Sequence, residues 1–226
     1  KENNSATAEA ANDSTEYSYE KTADGAGIVI TKFTGTEATV TVPEQLDNLP
    51  VVELGESAFT GAPATTITLP KTVKKIGQSA FENTKITKFI MPDSVTEVGP
   101  DLFTDCNDLT EVHLSNGIAD LTGEICASQS HIAKANIPAN IKRMSSTFGF
   151  CHELTELEIP ATITSIEFGA YTWDKHADPE VLVWTKEGTE YSAMDDPLDS
   201  QTFFMCSKLP EATKETLKKL GYKGEF

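Results

Sequence analysis

Two segments carry residue types that catalysis or metal binding would use, but neither has the required spacing. His152–Glu156 reads HELTE, which matches the zinc-protease motif H-E-x-x-H except that its fifth residue is glutamate. That motif needs two histidines one helical turn apart on one helix face, whereas these residues lead into a predicted strand. The segments GESAF and GQSAF, which begin at Gly55 and Gly77, resemble G-x-S-x-G without its last glycine. They recur as repeat units, so they do not indicate a nucleophile on a strand-to-helix turn.

The other potential metal ligands also lack a recognisable pattern. The four histidines show no spacing with cysteine or acidic residues of the kind that zinc sites use. Asp195, Asp196 and Asp199 could offer oxygen ligands to calcium, but the D-x-[DN]-x-[DN]-G loop is absent, so an exposed acidic loop is the preferred interpretation. We therefore predict a protein that is not an enzyme and has no cofactor and no metal. A deep pocket with clustered titratable side chains would reopen the enzyme hypothesis, because catalytic groups converge from distant positions.

The four cysteines raise the question of disulfides. Cys106 and Cys151 occupy the same repeat position two repeats apart. At about 4.8 Å per repeat they lie about 10 Å apart, which is too far for a disulfide. A Cys106–Cys126 bond is conceivable, but the preferred interpretation is buried free thiols that pack as small hydrophobic groups.

Charge and hydropathy exclude several classes of partner. The 226 residues include 35 Asp and Glu against 18 Lys and Arg, which gives a net charge of −17. Such a chain repels nucleic acid and anionic lipid unless it has a basic patch, and no basic run is longer than Lys74-Lys75. No uninterrupted apolar run exceeds four residues, whereas a bilayer span needs about twenty. We predict no nucleic-acid binding and no membrane insertion by this chain.

A repeat of 22 to 23 residues must position the surface side chains. The segments VVELGESAF, VKKIGQSAF and VTEVGPDLF begin at Val51, Val73 and Val95, and three degenerate copies follow. A second segment with the same period alternates apolar and variable residues, as a strand with one buried face does. These strands end at Pro43, Pro70, Pro92, Ser115, Pro138, Pro160 and Trp184. One such unit has no core of its own, so stacking must form the fold.

The pattern assigns an interior to the stacked repeats. The inward residues of the strands are expected to be Val40/Val42, Ile67/Leu69, Phe89/Met91, Val112/Leu114, Ala135/Ile137, Leu157/Ile159 and Val181/Val183. One aromatic residue per repeat should fill the interior, namely Phe59, Phe81, Phe103, Phe148 and Tyr171. Gly55, Gly77 and Gly99 mark points where the backbone is expected to turn sharply.

The repeat resembles the BspA-type leucine-rich repeat. Its consensus L-x-x-I-x-I-P-x-x-V-x-x-I-G-x-x-A-F-x-x-C is readable in TKFIMPDSVTEVGPDLFTDC and LTELEIPATITSIEFGAY. The resemblance covers about residues 40–184. It implies a leucine-rich-repeat solenoid, and because this family occurs in bacterial surface and secreted proteins it also implies adhesion or protein binding. The family offers no catalytic motif to transfer.

We accordingly predict one elongated, β-rich solenoid of the α/β superhelix type, with a parallel sheet of short strands in about seven rungs. Residues 1–16 should be a disordered polar tether, 17–39 an N-terminal cap hairpin and 40–184 the leucine-rich-repeat solenoid. Residues 185–226 should form an irregular acidic loop and a short C-terminal cap helix.

The polar stretch before Tyr17 bears on location. It is the remnant expected after removal of an export or lipoprotein signal, although a cloning remnant or an arbitrary cut would look the same. We expect an extracellular or cell-surface protein, exported and, in the lipoprotein case, lipid-anchored through the removed segment.

The outward face of the sheet is the remaining candidate surface. One outward row makes lateral neighbours of alternating charge, and a second row carries apolar and polar interruptions. The candidate ligand-binding residues are Lys88, Glu111, Lys134 and Glu156 in the first row and Ile90, His113, Asn136 and Glu158 in the second. Two functions remain open. Either a monomeric binding or adhesion module recognises a protein or glycan, or the solenoid is a structural spacer or assembly unit with no ligand of its own.

Overall fold

The computed structural model describes residues 13–121, 125–126, 131–145, 147–168, 202–203 and 205–226. Short strands dominate these ranges; a single 3-10 turn, Ser14–Glu16, precedes them and one α-helix follows them. The elements are β1 (Tyr17–Lys21), β2 (Ile28–Phe33), β3 (Thr39–Thr41), β4 (Gln45–Leu46), β5 (Leu49–Leu54), β6 (Thr66–Thr68), β7 (Lys75–Ile76), β8 (Lys88–Ile90), β9 (Glu97–Val98), β10 (Glu111–His113), β11 (Asp120–Leu121), β12 (Lys134–Asn136), β13 (Arg143–Met144), β14 (Glu156–Glu158), β15 (Glu167–Phe168) and α1 (Glu211–Lys219).

The chain winds as a solenoid of about six turns, and its repeats form two rows of parallel strands. The outer row contains β3, β6, β8, β10, β12 and β14, and the return row contains β5, β7, β9, β11, β13 and β15. Equivalent residues of most successive repeats pair directly, as Lys88 does with Glu111 and Lys75 does with Glu97. Each row has one interruption, because β6 and β8 lie in separate sheets, as do β9 and β11. The predicted solenoid of stacked short parallel strands is thereby confirmed.

The interior follows the predicted pattern wherever the structure describes it. The inward residues from Val40 to Ile137 are buried, and Leu157 and Ile159 are half-buried. The ring centroids of Phe59 and Phe81 lie 5.7 Å apart, and those of Phe81 and Phe103 lie 5.8 Å apart. One aromatic side chain per turn therefore builds a column through these three turns, and the buried Cys126 takes the aromatic position in the next turn, before Phe148. Tyr171, Val181 and Val183 lie outside the described residues.

The repeat glycines allow close stacking of turns and do not adopt a left-handed conformation. A Cβ on Gly77 would lie 2.6 Å from the backbone of Gly55 and Glu56, a distance that no side chain tolerates. Positive φ angles occur two residues later instead, at Ser57 and Ser79. The chain turns near each glycine, as the sequence indicates. The glycine itself is required because the backbone of the preceding turn leaves no room for a Cβ atom.

The two ends are closed differently. At the N-terminus β1 pairs antiparallel with β2, and β2 continues into the return row by pairing with β5. At the C-terminus α1 begins after Pro210, and its Leu217 is buried. The Ile166 N–H just before β15 donates to the Leu220 carbonyl at 2.9 Å, so the end of the helix caps the return row.

The last turn differs from the prediction. We expected Tyr171 to follow Phe148 in the aromatic column, but Phe203 stacks on Phe148 with centroids 5.6 Å apart, and the Phe148 N–H donates to Thr202. Phe203, Cys206 and Leu209 repeat the F-x-x-C-x-x-L spacing of Phe148, Cys151 and Leu154. The segment from Thr202 onward is therefore a repeat turn, and a sequence insertion separates it from β15.

The insertion before Thr202 also explains where the outer row ends. β14 begins two residues after Leu154, and α1 begins two residues after Leu209. The helix thus starts at the point where another outer strand would begin. Six outer strands lie within the described residues, and the segment VLVW that we predicted as the seventh, Val181–Trp184, lies outside them.

Candidate functional site

The first outward row is an alternating ladder of charges, as the sequence predicts. Its residues pair laterally in the order Lys88, Glu111, Lys134 and Glu156. Lys88 contacts Glu111 at 2.7 Å, and Lys134 contacts Glu156 at 2.9 Å. All four side chains are at least partly exposed. The hydrogen bond from Lys88 lowers the pKa of the Glu111 carboxyl, and the hydrogen bond to Glu156 raises the pKa of Lys134, so Glu111 and Lys134 stay ionised near neutral pH.

The second outward row is less regular than the sequence suggests. His113 and Glu158 are exposed, and Ile90 is 55% exposed, which makes it the most exposed large hydrophobic side chain among the described residues. Asn136, in contrast, is 3% exposed, so its predicted place among exposed residues is wrong. Its amide binds the Leu114 backbone twice: Oδ1 accepts from the N–H at 2.6 Å and Nδ2 donates to the carbonyl at 3.0 Å. Asn136 thus supports β10 and β12 as a structural residue.

A groove of about 560 Å³ lies over the C-terminal part of the outer row. Its walls include residues of β10, β12 and β14 and the start of α1, at Pro210 and Thr213. Six of the eight predicted site residues line it, namely Glu111, His113, Lys134, Asn136, Glu156 and Glu158. Lys88 and Ile90 lie on the neighbouring strand and do not line it. The sequence interpretation missed Thr155, Pro210 and Thr213, and the repeated F-x-x-C-x-x-L spacing could have indicated the last two.

A second charge ladder runs along the return row. Glu53 contacts Lys75 at 3.0 Å, and Asp120 forms a two-pronged pair with Arg143 at 2.8 and 2.9 Å. Arg143 lowers the pKa of the Asp120 carboxyl through these hydrogen bonds. Alternating charge is thus a property of both strand rows. Of the two rows, the outer one supplies the described side chains that line the groove.

The thiols are buried and form a repeated contact. All four cysteines are free, as preferred from the sequence. Cys106 donates to the Phe81 carbonyl at 3.0 Å, Cys151 to Cys126 at 3.0 Å and Cys206 to Phe148 at 3.2 Å. Each of these three thiols donates to a carbonyl of the preceding turn. Burial raises the pKa of Cys206 to about 12, so these groups are poor nucleophiles at neutral pH.

The described residues offer no recognisable catalytic or metal centre. Within them, no three His, Cys, Asp or Glu side chains approach each other as metal ligands would. In the same part of the chain no helix has the length and apolar character needed to traverse a bilayer. The site is a charged groove on a parallel sheet. The sheet belongs to a β-solenoid of stacked repeat turns with an extended polar face, which is the architecture of leucine-rich-repeat proteins. Such a fold is typically a non-enzymatic scaffold.

The comparison with known sequences then gives the family. Six copies of the BspA type leucine rich repeat match residues 38–148, so the repeat region of the chain belongs to that family. Proteins of this family are often found at the cell surface. No curated protein matches the chain.

Solved structures share the architecture. The T. pallidum leucine-rich repeat protein TpLRR is 26% identical over 96% of this chain and 99% of that chain, with a TM-score of 0.64. A leucine-rich cell surface protein of Faecalibacterium prausnitzii A2-165 is 24% identical over 70% of this chain, with a TM-score of 0.53. The pneumococcal vaccine antigen PcpA is 20% identical over 66%, with a TM-score of 0.51. The latter two show the fold alone, and the chain covers only 45% and 35% of their lengths.

Proposed function

We propose that this chain is a non-catalytic binding module of an exported or cell-surface protein, which recognises its partner through the groove over β10, β12 and β14. The observation that carries the proposal is the coincidence of the groove with the predicted face. A volume of about 560 Å³ is within the range of pockets that hold ligands. Three glutamates and one lysine line it, among the described residues, and can select a partner by charge.

The proposed location rests on the family. The matching repeat is frequent in cell-surface proteins, and one solved relative is described as a cell surface protein. A protein or a glycan would each suit an extended, polar sheet face, which solenoids commonly use for recognition.

A structural spacer is the second candidate, and the ion pairs favour it. Lys88 pairs with Glu111 and Lys134 pairs with Glu156, so much of the ladder charge is already balanced within the chain. A spacer needs only a soluble polar surface, and paired charges supply one. The two candidate functions make different predictions: partner binding should depend on the order of charges in the groove, whereas the role of a spacer should not.

A charge swap tests that difference directly. The double variant Lys134→Glu with Glu156→Lys keeps the ion pair and the net charge but reverses the charge order in the groove. The matched control is Glu53→Lys with Lys75→Glu on the return row, where the same lateral arrangement, Glu53, Lys75 and Glu97, lies outside the groove. Both variants should keep nearly wild-type stability, because an exposed pair contributes only about 0–1 kcal/mol.

The readout is capture of partners from arrays of surface proteins, matrix proteins and glycans. We expect the wild type and the return-row swap to bind the same partner, and the groove swap to bind at least about tenfold more weakly. Equal binding by both swaps would place recognition elsewhere. Capture of nothing by the wild type would favour the spacer.

A further inference from the structure

Among the described strands, β14 is the last of its sheet, and none pairs with its outer edge. Glu156 donates its N–H to Ala133 at 3.0 Å, and Glu158 accepts from the Ile137 N–H at 2.8 Å, so both residues pair with the β12 side. Alternate residues of a parallel strand point their backbone groups to opposite sides. The N–H and carbonyl of Leu157 therefore face away from β12, and no hydrogen bond to either is found within the described part of the chain.

At the C-terminal end of the solenoid, the return row is hydrogen-bonded to the segment after the helix, whereas the outer row is followed by the start of the helix. The return row is closed by a hydrogen bond from Ile166 to Leu220 beyond the helix. The outer row meets the start of α1, where Pro210 has no N–H and the following residues are helical, so this segment cannot continue the sheet. Pro210 and Thr213 line the groove together with Thr155–Glu158. Within the described part of the chain, the edge of β14 that faces away from β12 thus borders the groove.

The negative charges at this edge favour a positively charged ligand. Glu156 and Glu158 flank Leu157, and Glu111 adds a third negative charge to the groove wall. Among the described lining residues Lys134 is the only side chain of fixed positive charge. The whole chain carries a net charge of −17, which attracts cationic segments over a longer range.

From this arrangement we propose that an extended, basic peptide segment of a partner protein binds the open edge of β14 as an added strand. Its backbone would accept from and donate to Leu157, and alternate lysine or arginine side chains would reach the glutamates of the groove. Addition of a strand to a sheet edge gives affinity through the main chain and specificity through alternate side chains. This inference rests on the proposed function, because it names the kind of partner that the same groove would take.

The probe is a fluorescent peptide of about nine residues with alternating lysine and valine. One control peptide is N-methylated at every second residue, which removes the N–H groups that would pair with β14 while keeping the side chains. A second control has glutamate in place of lysine. We expect the lysine peptide to bind, both controls to bind at least about tenfold more weakly, and the Leu157 amide to exchange more slowly with solvent only when the lysine peptide is present.

Two variants locate the site on the protein. Leu157→Pro removes the edge donor at a position where proline is compatible with a strand, and Glu158→Lys reverses a flanking charge. Each should weaken binding about tenfold, and the second should also reduce the dependence of affinity on salt. Glu20→Lys, on the exposed part of β1, is the matched charge control and should bind as the wild type does.

Several results would overturn the inference. These are equal binding of the N-methylated peptide, no binding of the lysine peptide, or protection of the Leu157 amide in the free protein, which would mean that the edge is already occupied. Should the peptide fail while the Lys134 and Glu156 swap still abolishes capture of an array partner, strand addition is refuted and the proposed function stands. If the groove swap also leaves capture unchanged, both are refuted.

Discussion

Replacement of Phe81 by alanine tests the aromatic column at the middle of its first three repeats. The ring is fully buried and contacts three others, with centroids 5.7 Å from Phe59, 4.6 Å from Phe89 and 5.8 Å from Phe103. Truncation of a buried phenylalanine costs about 3–5 kcal/mol. Three aromatic contacts favour the upper part of that range, since each pair adds about 0.5–1.5 kcal/mol beyond burial. We expect a loss of about 4–5 kcal/mol.

The assay is urea and thermal unfolding followed by far-ultraviolet circular dichroism. For a chain of this length the expected loss lowers the melting temperature by about 8–20 °C. Ile90→Ala is the matched control, because Ile90 is 55% exposed and its truncation should cost less than about 1 kcal/mol. If Phe81→Ala proves unfolded, Phe81→Leu should retain the fold at a cost of about 1–2 kcal/mol. A loss for Phe81→Ala below about 1 kcal/mol, or equal to that of Ile90→Ala, would refute the column.

Three further predictions concern backbone contacts, a buried amide and the thiols. Gly77→Ala should cost about 1–3 kcal/mol in urea unfolding, because its Cβ would meet the backbone of the preceding turn. Gly25→Ala, with φ +69° and open space, should cost only about 1 kcal/mol, and the reverse order would contradict close stacking. Asn136→Asp should lose about 1–3 kcal/mol at pH 7, because a carboxylate would face the Leu114 carbonyl. The Leu114 carbonyl and burial should raise the pKa of the introduced carboxyl group. The difference in free energy of unfolding between the wild type and the variant should therefore be small below about pH 4 and should grow as the pH rises. A difference that does not depend on pH would argue against the contact. The four thiols should resist a disulfide reagent in the native state and react fully in guanidinium, and rapid native reaction of any one would show that it is accessible.

Much of the solenoid could be predicted because each repeat presents the same local pattern. The burial of Val112 could be predicted because the polar residues Glu111 and His113 on either side of it belong to the outward face of the strand. The lateral order of Lys88, Glu111 and Lys134 follows from an in-register parallel sheet. These conclusions need only the period and the alternation, which local sequence contains.

What could not be predicted depends on contacts between distant segments. Asn136 is buried because its amide reaches the backbone of Leu114 on the next strand, a match that no periodicity reveals. Phe203 stacks on Phe148, at the place in the aromatic column where the repeat period predicts Tyr171, because a segment 55 positions beyond Phe148 packs there. The walls of the groove at Pro210 and Thr213 depend on the same change of register.

The separation of Phe148 from Phe203 has a consequence for the order of folding. Phe59, Phe81 and Phe103 follow one another at 22 positions, whereas the contact that closes the last turn spans 55. The entropic cost of bringing chain ends together grows with the logarithm of their separation, which makes this closure about 0.8 kcal/mol more expensive than that of a regular repeat. Assembly should therefore begin among the first three repeats and propagate toward the C-terminus. The groove, which needs β14 and α1 together, should be completed in the final step.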